Sequence, residues 1–164
     1  MDSGTRFLTF TSILMLALIL QVVLAVADQR DTPEKAAVEF AEAYFWLEPA
    51  MAERLCRELA PSAKADPVAA FLARKEQEAR ASGFAPHYLK QGLYHVDART
   101  LENDGETARV LLRGERRRTI NPVYGLVARW FGVGETHAVE ETLLLKKEAG
   151  SWKVCGRPFQ LLEG

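Results

Sequence analysis

Beyond residue 27 the chain divides by the period of its apolar positions. From Ala37 to Ala79 they recur at i, i+3, i+4 and i+7, the spacing of one helix face. After Pro86 they alternate singly, as on one side of a pleated strand.

The first half predicts three helices. Thr32 caps the first, Pro33 suits its opening position and Glu34 complements its dipole. Ala37, Phe40, Ala41, Tyr44 and Phe45 form its apolar stripe. Pro49 starts a second helix, in which Ala52, Leu55, Cys56 and Leu59 share a face. "APSAKADP" is a linker whose Asp66 and Pro67 open a third helix. Val68, Phe71, Leu72 and Ala79 line its buried side, and Gly83 stops it.

The second half predicts a sheet. Tyr88 to Leu101 is one strand, Asn103-Asp104-Gly105 a turn, and Thr107 to Thr119 the return strand. The return strand carries Ala108, Val110 and Leu112 on one face and Arg109, Leu111, Arg113 and Glu115 on the other. Residues 120–134 break the alternation. There Val123, Leu126, Val127, Trp130 and Phe131 fit a short amphipathic helix that closes the core or serves as a lid, partner site or membrane-surface contact.

The last hairpin, "HAVEETLLLKKEAGSWKVCG", turns at Ala149-Gly150 and sets Glu148 opposite Ser151, Lys147 opposite Trp152 and Leu145 opposite Val154. His137, Val139 and Glu141 then share a face with Trp152, and Cys155 shares the other with Leu144. If Cys155 meets a helix-borne Cys56 directly, the Leu144 face is the inner one and Trp152 lies outside. A β-bulge would reconcile the two arrangements.

Residues 1–27 stand apart. Phe7 to Ala27 is almost unbroken apolar sequence, and "AVA" precedes the polar "DQRDTPE". Small residues at those positions suit a signal peptidase, with a mature chain of residues 28–164. A retained anchor is the competing reading, since about 20 apolar residues span a bilayer. Either one exports the remainder, to the periplasm or the outer side of the cell envelope, with membrane contact through residues 7–27 if they are kept.

Composition narrows the function classes. With 164 residues, 48% of them hydrophobic, and a net charge of −1, the chain suits one folded domain and offers no basic excess for nucleic acid. Its two cysteines, Cys56 and Cys155, are an even pair in an oxidising compartment and predict a disulfide, with two buried thiols as the alternative. No closely spaced cysteine or histidine pair points to a metal, and no cofactor is expected.

The expected fold is α+β: three N-terminal helices packed on a curved antiparallel sheet of about four long strands, preceded by the apolar segment. That order, ending in "ETLLLKKEAGSWKV" with Trp152, Lys153 and Val154 after a glycine-containing turn, resembles the nuclear-transport-factor-two-like (cystatin-like, cone-shaped) superfamily. Within it the chain is most similar to small exported bacterial proteins. The resemblance implies a cone between helices and sheet, in a superfamily that hosts isomerases, cyclases, dehydratases and non-catalytic binding modules.

In such a cone the candidate pocket residues are Tyr44, Tyr88, His137, Glu141, Trp130 and Phe131. Ketosteroid isomerases of the superfamily use a carboxylate base with Tyr and Asp donors. Their pattern is not matched residue by residue, so no catalytic residue is carried over. His95 and Asp97, two apart on a strand, are an alternative acid–base pair. The reading that results is a non-catalytic module binding a small apolar ligand or an envelope protein partner, with a homodimer as a further option. A cofactor-free lyase, isomerase or hydrolase and a membrane-tethered structural protein are the alternatives.

Overall fold

The computed structural model describes residues 3–28, 30–60, 66–118, 136–159 and 161. They belong to two units, one ending at Asp31 and one beginning at Thr32. The first unit is helix α1 (Ser3–Asp28), on which Phe10, Ile13, Leu14, Met15, Leu16 and Val22 are all exposed. Among the described residues no helix is long and apolar enough to cross a membrane.

The second unit opens as its sequence dictates. Thr32 caps helix α2 (Pro33–Phe45) by accepting the Lys35 N–H at 3.2 Å, which satisfies one of the donors orphaned at a helix start. Its stripe of Ala36, Ala37, Phe40, Ala41, Tyr44 and Phe45 is buried. Asp66 caps helix α3 (Pro67–Ala81) in the same way, accepting from Ala69 N–H at 2.9 Å. Gly83 ends α3 at φ +76°, with Phe84 N–H on Ala79 O and Gly83 N–H on Arg80 O, the paired bonds of a left-handed helix stop.

The expected second helix does not form. Pro49–Arg54 is a 3-10 helix, after which Leu55 is extended and pairs in parallel with Val154. Cys56 N–H then donates to Val154 O at 2.9 Å. A helix this short is marginal alone, whereas the end strand of a sheet offers unpaired backbone groups along its edge. The apolar spacing that suggested a helix is served instead by a tight turn burying Met51, followed by an extended segment burying Leu55 and Cys56.

Among the described residues four strands follow, β1 (Gln91–Asn103), β2 (Thr107–Arg118), β3 (His137–Glu148) and β4 (Ser151–Cys155), in an open antiparallel meander of that order. Three are long and β4 is short, against an expectation of about four long strands. β1 starts later than expected because Pro86–Leu89 forms another 3-10 helix. The β3–β4 register pairs Glu148 with Ser151, Lys147 with Trp152 and Leu145 with Val154, as the two-residue turn requires.

One face of the sheet is apolar. Ala108, Val110 and Leu112 from β2, Leu143 and Leu145 from β3, and Trp152 and Val154 from β4 are buried in one cluster with α2 and Phe71 of α3. Trp152 therefore faces inward, at 4% exposure, and Leu144 faces out at 45%. This overturns the arrangement in which a direct Cys56–Cys155 contact would put the Leu144 face inside. Cys56 is not on a helix covering the sheet. It lies beside Cys155 at the sheet's edge, so the two meet without a change of face.

Candidate functional site

The sequence candidates scatter. Tyr44 is 7% exposed, and its ring stacks on Phe71 and on Phe159, each at 4.8 Å between centroids. Phe159 also lies 5.2 Å from Phe45 and 6.2 Å from Phe40. These rings fill the ground between α2, α3 and the last described residues, so Tyr44 is part of a packed core. Glu141 is partly buried on the inner face of β3, opposite Leu112 of β2, and His137 is exposed at the start of the same strand, opposite Arg116. Tyr88 lies on the 3-10 helix Pro86–Leu89. Its side chain, and Trp130 and Phe131 altogether, fall outside the described residues.

His95 and Asp97 are separated by a bulge. Tyr94 pairs with Glu115 and Asp97 with Arg113, so His95 and Val96 together oppose Gly114, and His95 takes φ +50°. His95 Nδ1 lies 3.5 Å from Glu115, while Asp97 bonds Arg99 Nε at 2.8 Å. Each has its own partner; the His95 side chain is largely in solvent and that of Asp97 is about half-buried.

Two other places gather chemistry. The first is a groove of about 540 Å³ between α2 and the 3-10 helix Pro49–Arg54, walled by Glu39, Glu42, Trp46, Glu48, Glu53 and Arg54. Four carboxylates face one guanidinium. Arg54 is held by Glu39 through Nε at 2.7 Å and Nη2 at 2.5 Å, and its Nη1 donates to Trp152 O at 3.4 Å. Lys153 Nζ donates to the Glu53 carbonyl behind the groove wall. Trp46, the residue that caps α2, is exposed at 36% and offers an indole face there.

The second place joins Cys56, Cys155 and Glu148, whose sulfur and carboxylate atoms lie within 4.8 Å of one another. Both cysteines are buried thiols. Burial pushes the Cys155 thiol well above its ordinary range, and Cys56, Glu148 and Glu58 push it further. Arg57 N–H holds Glu148 by donating to its two carboxylate oxygens, at 3.0 and 3.3 Å. Lys146 Nζ lies 3.7 Å from Glu58 beside the trio.

Neither cluster was found from sequence. Glu39, Glu42 and Trp46 recur at i, i+3 and i+7 on the polar side of α2, a periodic signal as regular as the apolar stripe. The cysteine–carboxylate trio has no local signal, because its members meet only through the Leu55–Val154 bridge. No family model matches the chain, and neither a curated protein nor a solved structure matches it significantly.

Proposed function

We propose that this chain is an exported binding module that takes a protein partner, and that a basic segment of that partner lies in the groove between α2 and the 3-10 helix Pro49–Arg54. The observation that carries the reading is the groove's lining of four glutamates and one arginine beside an exposed indole. Lysine and arginine side chains gain there from carboxylates along the wall and from the face of Trp46. The aromatic stack around Tyr44 favours a partner over a small apolar ligand, since such a ligand would have to displace Phe159 from three ring contacts. The apolar run from Phe7 to Ala27, followed by small residues and a polar stretch, supports export by cleavage after Ala27. Helices followed by an antiparallel meander favour kinship with the nuclear-transport-factor-two-like superfamily.

Titration of the full chain with a labelled arginine- and lysine-rich peptide tests the groove. Binding should weaken as salt rises, because the wall is charged and exposed. Reversal of Glu42, Glu48 and Glu53 to Lys should weaken it at least about tenfold, a loss of about 1.4 kcal/mol. Equal binding by the charge-reversed chain, or none by the unaltered one, would overturn the reading.

A further inference from the structure

We propose that Cys56 and Cys155 are a disulfide latch that ties the segment following Pro49–Arg54 to the outer edge of β4. The Leu55–Val154 bridge is parallel, so the next residues along each chain, Cys56 and Cys155, are neighbours across the same edge. Adjacent strands lie about 4.8 Å apart. That falls inside the Cα separation of about 4.4 to 6.8 Å that a disulfide requires. The Cys56 N–H bond to Val154 O fixes the approach, and the two sulfurs already lie within 4.8 Å. Side-chain rotation closes the remaining gap, with no movement of the sheet.

The oxidant is a low-molecular-weight disulfide of the kind found in oxidising compartments. One protein thiolate attacks it, forming a mixed disulfide and releasing the first donor thiolate. The second protein thiolate attacks the protein sulfur of that mixed disulfide, forming the Sγ–Sγ bond and releasing the second donor thiolate. Two protein thiols are oxidised, one donor disulfide is reduced to two thiols, and the two protons go to the departing thiolates.

Glu148 sets the rate of closure. Its carboxylate is pinned beside both sulfurs by Arg57 N–H, and a fixed negative charge disfavours thiolates more than an uncharged disulfide. Both cysteines are thus kept as thiols, and because only a thiolate attacks a disulfide, Glu148 slows closing and opening of the latch rather than shifting its equilibrium. The closed latch also holds the arginine-bearing wall of the groove against β4, whatever occupies the groove.

The test uses the full chain and its Glu148→Gln variant, mixed with buffers of oxidised and reduced glutathione, sampled over time until equilibrium, quenched in acid and alkylated. The expected product is lighter than the reduced chain by two hydrogens and yields one Cys56–Cys155 linked peptide on non-reducing digestion. Glu148→Gln should close severalfold faster at neutral pH, with little change in the midpoint; an unchanged rate would overturn the role given to Glu148. Two alkylated thiols, or separate glutathione adducts on each cysteine, would overturn the latch. So would stoichiometric Zn²⁺ binding that shields both thiols from glutathione and is lost in Glu148→Gln, which would make the trio a metal site.

Discussion

The ring of Phe159 stacks on that of Tyr44 with centroids 4.8 Å apart and planes 23° from parallel. A residue near the carboxyl terminus thus closes a core begun by α2. Phe159→Ala should cost about 3 kcal/mol, the low end for a phenylalanine truncation, because the ring is only partly buried. Urea unfolding measures it; a loss under about 1 kcal/mol would mean the stack is ornamental to stability.

Arg54 joins three elements, bonding Glu39 of α2 and the Trp152 carbonyl of β4 from its own 3-10 helix. Arg54→Leu should destabilise by about 1.5 to 3 kcal/mol, the range for hydrogen bonds to charged groups. Arg54→Lys should recover only part of that, because one ammonium does not reproduce the guanidinium fork. Full recovery by lysine in thermal unfolding would argue that charge alone matters.

The β1–β2 turn predicts a weak acid dependence. Asp104 accepts from Thr107 N–H at 2.6 Å, Thr107 Oγ1 at 2.7 Å and Glu106 N–H at 2.9 Å. The Thr107 bonds, then that from Glu106, hold its carboxyl down to about 2. A depressed folded-state value means this contribution is complete above the unfolded carboxyl's titration, near about 4. It is lost as pH falls from there through about 2. Asp104→Asn should flatten that part of the stability–pH curve; an identical curve would show that the turn's bonds do not depend on the charge.

Ala149 begins the β3–β4 turn at φ +50° and Gly150 follows at φ +86°. The left-handed region is unfavourable for alanine and suits glycine or asparagine. Ala149→Asn should therefore raise stability by about 0.5 to 1 kcal/mol without altering the register. A destabilised variant would mean that the alanine methyl makes a contact worth more than the strain.

If the chain is exported as proposed, mass spectrometry of the protein isolated from its native cells should find Asp28 as the first residue, following the "AVA" signal. A species retaining residues 1–27 would overturn cleavage.

Legibility followed the range of the interaction. Caps at Thr32 and Asp66, the stop at Gly83 and the register of the last hairpin were readable because each is decided within a few residues. Pro49–Arg54 was misread because i, i+3 spacing over so short a run fits a tight turn followed by a strand as well as a helix. The pairing of His95 with Glu115 was hidden by the bulge, which breaks the alternation used to pair it with Asp97. Glu148 joins the cysteines through a bridge spanning most of the domain, and no local pattern records such a meeting.

The irregularities of β1 also bear on solubility. As an end strand of the described sheet, thirteen residues long, it would be a long template for a second chain to extend. Register shifts between Tyr94 and Asp97 and between Thr100 and Glu102 divide it into short regular pieces. An incoming strand finds no extended row of donors and acceptors in phase with its own, so the sheet resists growth by stacking copies edge to edge.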